Sequence, residues 1–312
     1  MDGYIGGYKC LTPMRTVGSG TARWCFASRG LNRYFMKEFL SPIYPPRVET
    51  PLQKRQMERC DRFEKRKLAL YQAASCVLGD TLIPVIDFFQ EGGHYYAITE
   101  AAPENSITGE ETGKLPLPCR LRAALDVGLC LGRLHAQRIV HADLKPAHIL
   151  LDPAGESYVT HLIDLDSGFP EETPPEHDEM EGDPSCMAPE AYRYMLGESV
   201  PLTCAMDTYS FGLVLHLLWT GEWPTLPEGC LSFCEATLRG IEIPLSEKLP
   251  AEVRALIRQM LSFKPEDRPG DGQIIRVLEK HYAAMQPGHS PPLDGNRPVN
   301  SLQSLWRGDQ LL

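Results

Sequence analysis

The sequence predicts an α+β fold in two lobes: a small β-rich lobe over residues 1–100 and a larger, mainly helical lobe over residues 101–285. A C-terminal tail containing proline and glycine follows over residues 286–312. Three observations carry this expectation. Short extended runs around a single helical segment fill the first hundred residues. Apolar residues at helical spacing recur after residue 118, and between the helices lies a stretch, 139–169, that sets acids and histidines among short apolar runs. The 312 residues are 43% apolar, enough for a core of either size.

The elements follow in order. Residues 33–39 alternate around Lys37 as a strand does, with Phe35, Met36 and Phe39 for partners. Three prolines within residues 41–46 require a loop. Residues 53–75 are good helix formers, with Met57, Phe63 and Leu70 available for one face. Strands are expected over 82–88 and 94–100. In the second lobe, Leu121, Leu125, Val127, Leu131 and Leu134 mark a helix over 118–137. Between Ser167 and Pro189 there are seven acids and no lysine or arginine, which reads as a solvated loop. Further helices are expected from Asp207 to about Trp219, over 250–263 with Val253, Leu256, Ile257, Met260 and Leu261 on one face, and over 271–285. Residues 286–292 read as a linker. The tail beyond offers Leu302, Leu305 and Trp306 either to a partner or to its own domain.

With 41 acidic and 31 basic residues the net charge is −10, which argues against nonspecific contact with nucleic acid or an anionic membrane. The ten cysteines contain no C-x-x-C pair and no secretory leader precedes them, so reduced thiols in a cytoplasmic protein are expected. The most apolar later segment, 209–219, is too short to span a bilayer.

Residues 139–169 hold Asp143, Asp164 and Asp166 with Lys145, His141 and His148. Carboxylates at strand ends in a cleft suit a divalent metal and a phosphate group. The order His141-Ala142-Asp143-Leu144-Lys145-Pro146, an apolar strand, then Ile163-Asp164-Leu165-Asp166 resembles the catalytic and metal-binding loops of the protein kinase family. Other motifs follow in the family's order: Val17-Gly18-Ser19-Gly20, Lys37 on its strand, Met187-Ala188-Pro189-Glu190, Asp207-Thr208-Tyr209-Ser210-Phe211-Gly212, and Arg268. Together they span residues 18–268, and the likeness is greatest to bacterial-type serine/threonine kinases. The resemblance implies roles. Val17, Gly18 and Gly20 would bring backbone N–H groups to ATP phosphates, although a G-x-G alone is as readily a hairpin turn. Lys37 would hold the α and β phosphates, paired with a helix glutamate, Glu64 or else Glu58. Thr99 would be the gatekeeper, and the backbone of Glu100 and Ala102 would meet the adenine edge. Asp143 would orient the substrate hydroxyl, Lys145 would reach the γ-phosphate, His141 would bond to backbone, and Glu190 would pair with Arg268.

Several positions depart from the family pattern. Arg23 stands in place of a third glycine. His148 replaces the asparagine that binds the second metal, and Asp166 replaces the glycine of Asp-Phe-Gly. Imidazole suits Mn²⁺ better than Mg²⁺, so the expected metal set is Asp164 and Asp166 with His148, taking Mg²⁺ or Mn²⁺. Ala142 replaces the arginine that meets an activation-segment phosphate, so activation by that route is not expected, and the acidic segment would favour basic protein substrates. The leading reading is a serine/threonine protein kinase using ATP. The alternatives are a pseudokinase that regulates a partner protein and, more weakly, a small-molecule phosphotransferase. The Ala-Pro-Glu segment, the Asp207 helix and Arg268 speak against the last.

Overall fold

The computed structural model of the chain describes residues 3–16, 22–77, 79–103, 105–155 and 157–285. Val17, Gly18 and Gly20, expected to form a phosphate loop, lie outside the described residues, as does the tail 286–312.

The first lobe is a curled antiparallel sheet. Its strands are β1 (Tyr4–Ile5), β2 (Tyr8–Cys10), β3 (Arg15–Thr16), β4 (Ala22–Arg29) and β5 (Asn32–Phe39), then, after helix α1 (Pro51–Ser75), β6 (Val85–Glu91) and β7 (His94–Glu100). The strand order is β1-β2-β4-β5-β7-β6, with β3 paired to β4. The alternation expected around Lys37 holds: Met36 is fully buried on one face, while Lys37 and Phe35 point into the cleft below the sheet. The strand expected at 82 begins three residues later, at Val85. Pro84 cannot donate to a ladder, and Leu82 instead bridges to Leu162 of the second lobe.

Helix α1 starts where its chemistry dictates. Thr50 accepts from the Gln53 N–H, the Gln53 side chain returns to the Thr50 N–H, and Pro51 occupies the first turn. Its inner stripe is Cys60, Phe63, Lys67, Leu70, Tyr71 and Ala74. Phe63, Phe39, Phe88 and Tyr95 pack ring against ring, with centroids 5.1 to 6.3 Å apart, and fasten the helix to the sheet.

The second lobe places β8 (Ile107–Thr108) beside the hairpin β10 (Ile149–Ala154) and β11 (Ser157–Leu162), and pairs β9 (Ile139–Val140) with β12 (Phe169–Pro170). Its helices are α2 (Leu117–Ala136), α3 (Pro189–Met195), α4 (Ala205–Thr220), α5 (Phe233–Leu238), α6 (Ala251–Met260) and α7 (Asp271–Ala284). Every residue of α4 from Met206 to Trp219 is buried, the pattern of a central helix packed on all sides. Gly212 permits this: a Cβ there would stand 3.0 Å from the Met260 Cβ of α6. Among the described residues no helix is long and apolar enough to cross a membrane.

Candidate active site

A short pair of strands brings the expected residues together. The β9–β12 pair ties the loop after Val140 to the loop before Phe169, so Asp143 and Asp164 converge beneath the sheet that carries Lys37. Asp207, buried at the start of α4, accepts the N–H groups of His141 at 2.7 Å and Ala142 at 2.9 Å. Ala142 sits at φ 66°, a left-handed conformation that an L residue keeps only where its surroundings hold it. Asp207 is braced in turn by His135, whose ring lies between Asp207 at 3.1 Å and Asp271 at 2.9 Å. Burial works against charge on His135, but the two carboxylates outweigh it and raise its pKa to about 9. The His141 ring does not make the backbone bonds expected of it: both of its buried ring nitrogens lack a partner among the described residues.

The carboxylate of Asp143 is oriented by two donors, the Asp183 N–H at 2.8 Å and Lys145 Nζ at 2.9 Å. His148 Nδ1 lies 2.9 Å from the Asp143 carbonyl, which can only accept, so Nδ1 carries the proton. Burial pushes the His148 pKa down and keeps the ring neutral. Its Nε2 lone pair then faces Asp164 Oδ2 across 3.5 Å. Two electron-pair donors in that relation fit a divalent cation of the Mn²⁺ kind. Among the described residues no three His, Cys, Asp or Glu side chains converge as a full metal cage, so further ligands would come from phosphate or water.

Asp164 is itself left-handed, at φ 61° and ψ 63°, which turns its carboxylate toward the sheet. Lys37 Nζ meets its two oxygens at 2.8 and 3.0 Å and Asp166 Oδ2 at 2.8 Å. Burial opposes charge on Lys37, but the Asp166 and Asp164 carboxylates prevail and raise its pKa. Burial likewise opposes ionisation of Asp164, and Lys37 outweighs it, holding the carboxyl well below the usual carboxylate range.

The geometry corrects the expected partner of Lys37. Glu64 turns away to accept from the Tyr95 hydroxyl at 3.4 Å, and Glu58 is exposed to solvent. Beside Lys37 stand Asp164 and, in the place expected for a helix glutamate, Asp166, expected as a metal ligand but engaged by protein groups. Tyr71 OH donates to its Oδ1 at 2.5 Å, and Lys67 Nζ donates to its main-chain carbonyl. Lys67 and Tyr71 are the functional residues that sequence reading missed. The available signal was position: Lys67 lies in register with Cys60, Phe63, Leu70 and Ala74, so its charge falls on the buried stripe.

A cleft of about 310 Å³ opens between the lobes. Lys37, Thr99, Glu100, Ala102, Asp164 and Asp166 all line it, with Phe26 and Phe35 above and Leu150 below. An apolar slot that ends at a buried ammonium fits a flat heterocycle carrying an anionic chain, which is the shape of a nucleoside phosphate.

The acidic segment is only partly solvated. Glu179 pairs with Arg66 at 2.6 Å and Arg59 at 3.3 Å, both from α1, and Arg138 meets Glu171 at 3.3 Å. Asp183 lies 3.5 Å from Lys145. Glu176, Asp178 and Glu181 are exposed and make no ion pair among the described residues. The segment ends at a bidentate pair, Glu190 with Arg268 at 2.5 and 2.8 Å, and Arg268 also donates to the Ala205 carbonyl.

The chain resembles known proteins in sequence and in fold. The family model described as protein kinase domain matches residues 54–282. The serine/threonine-protein kinase PknA of Mycobacterium tuberculosis is 29% identical over 211 residues, 67% of this chain and 47% of that protein. A putative mitogen-activated protein kinase kinase kinase 7-like protein of Drosophila melanogaster is 26% identical over 65% of this chain and 53% of that protein. The chain thus spans about half the length of these two relatives, and only about a tenth of some others. The PknI kinase domain of Mycobacterium tuberculosis, at 17% identity, superposes with a TM-score of 0.61, covering 90% of this chain and 98% of that one, a likeness of fold.

Proposed function

The chain belongs to the protein kinase family, and we propose that it transfers the terminal phosphoryl group of ATP to serine or threonine hydroxyls of protein substrates. The observation that carries this reading is that Lys37 and Asp164 line one end of an apolar cleft, with His148 standing between Asp164 and the Asp143–Lys145 pair. Phosphoryl transfer passes through a loose transition state, so it asks for positioning and charge neutralisation more than for covalent chemistry.

The roles divide along the cleft. Lys37 holds the α and β phosphates, while the backbone of Glu100 and Ala102 meets the base. Asp143, with both carboxylate oxygens already oriented, receives the substrate hydroxyl and its proton. Lys145 reaches from Asp143 toward the γ-phosphate. Asp164 and His148 hold the metal, Mn²⁺ in preference to Mg²⁺. Charge supports its presence: Lys37 and Lys145 already face Asp143, Asp164 and Asp166, so an arriving polyphosphate brings uncompensated negative charge. A divalent cation held by Asp164 and His148 would supply the positive charge that offsets it. Glu176, Asp178 and Glu181, exposed on the segment beside the cleft, favour substrates rich in lysine and arginine.

A second reading is a nucleotide-binding regulator without efficient transfer, and the imidazole at His148 in place of a hard oxygen ligand favours it. Labelled-phosphate transfer separates the two. With ATP and Mn²⁺ the protein is expected to label Ser/Thr peptides flanked by Lys and Arg and to spare acidic ones. Asp143→Asn is expected to lower the rate by about 10² to 10⁴-fold while leaving ATP binding intact. Binding without transfer would support the regulator.

A further inference from the structure

We propose that Asp166 is a second counter-ion of Lys37, beside Asp164, that positions it in place of a helix glutamate, and that α1 holds this anion with a lysine, Lys67, and a phenol, Tyr71, instead of supplying a carboxylate of its own. The proposal rests on the reading of Lys37 as the phosphate-binding residue. Each hydrogen-bonding group of Asp166 facing α1 and β5 has its own partner. Oδ2 lies 2.8 Å from Lys37, Oδ1 accepts from Tyr71 at 2.5 Å, and the carbonyl accepts from Lys67. Three contacts from two elements fix both the rotation of the carboxylate and the height of the turn that carries it. Lys37 therefore meets an anion whose place is set by α1, although the anion is not on α1.

Lys67 is itself an unusual tenant of its stripe, since a buried ammonium is costly unless it is compensated. Compensation comes from the Asp166 carbonyl and from the faces of Phe39 and Phe63, 5.0 and 5.3 Å from Nζ. With Lys67 at this point, a glutamate on the same helix is not needed beside Lys37, and Glu64 is free to serve Tyr95. The position of α1 and the conformation of the 164–166 turn become one variable: moving the helix outward would withdraw Lys67 and Tyr71 and release Asp166 from Lys37. Lys67 and Tyr71 are positioning residues, acting on phosphate through Asp166 and Lys37.

The test is ATP affinity by calorimetry with Mn²⁺, read with the thermal midpoint, across a mutant cycle in the full chain. Lys67→Met and Asp166→Asn are each expected to weaken ATP about tenfold, the scale of one charge-assisted hydrogen bond. Their combination is expected to be no worse than Asp166→Asn alone, because they act in series. Lys67→Glu with Asp166→Gly, which moves the carboxylate from the turn to the helix, is expected to recover affinity lost in Asp166→Gly alone. Losses that add, or an Asp166→Asn protein with unchanged ATP affinity but altered metal dependence, would overturn the proposal. Should Lys67→Met not fold, Tyr71→Phe removes a single hydroxyl and must show the same non-additivity with Asp166→Asn. Should the unmodified protein bind no ATP, the functional reading fails. The network is then judged by midpoints of Lys37→Met and Asp166→Asn: non-additive shifts support it and additive shifts overturn it.

Discussion

Asp207 and His135 decide whether the catalytic loop holds its shape. Asp207 accepts two consecutive N–H groups across a left-handed Ala142, and the charged His135 ring keeps that carboxylate in place. Because the folded pKa of His135 is raised to about 9, the charged form is the one folding favours. Its contribution to stability is fully present below the unfolded value of about 6.5 and is lost as pH rises through about 9. Thermal midpoints measured from pH 6 to pH 10 should therefore fall across that window, and His135→Gln should start lower at pH 6 and fall less steeply. Equal slopes in the two proteins would exclude this role. Local chemistry of this kind was visible in the sequence only where a motif announced it. Asp143, Lys145 and Asp164 were legible, whereas the pairing of Asp166 with Lys37 depends on which way a helix face turns, and no local pattern records that.

Helix α1 is joined to the second lobe by polar contacts from two of its faces. Lys67 and Tyr71 meet the 164–166 turn, and Arg59 and Arg66 meet Glu179 of the acidic segment. The Glu179 carboxyl is held below its usual range: burial opposes this, but Arg66 and Arg59 prevail. A fixed carboxylate thus ties the acidic segment to α1. Glu179→Gln is expected to lower kcat/KM about five- to tenfold, with a smaller penalty at high salt, as measured by peptide phosphorylation. At the far end of the segment, Glu190 and Arg268 form a pair with side chains only 5% and 1% exposed. Arg268→Ala leaves a buried carboxylate uncompensated and should cost about 3–5 kcal/mol in chemical denaturation. Helices over 53–75, 118–137 and 271–285 were readable to within two residues, since apolar period and capping chemistry set them. The short helices α3 and α5 were not, because six or seven residues carry too little periodicity and are stabilised by packing.

Across the whole molecule, the sheet supplies Lys37, the second lobe supplies Asp143 and Asp164, and the Leu82–Leu162 bridge and the pairing of Lys37 with Asp164 and Asp166 hold the lobes together around the cleft. The two-lobed fold was legible because its motifs come in fixed order. The acidic segment was misjudged as wholly solvated, since Glu171, Glu179 and Asp183 find basic partners distant in sequence. On the proposed reading this cleft binds ATP through Lys37, with a metal held by Asp164 and His148. Thermal unfolding with ATP and either Mn²⁺ or Mg²⁺ tests it most directly. At about 100 times the dissociation constant, ATP with Mn²⁺ should stabilise the protein by about 2.7 kcal/mol, Mg²⁺ should do so only at higher nucleotide concentration, and Lys37→Met should abolish the effect. No stabilisation with either metal, or an undiminished one in Lys37→Met, would contradict the account.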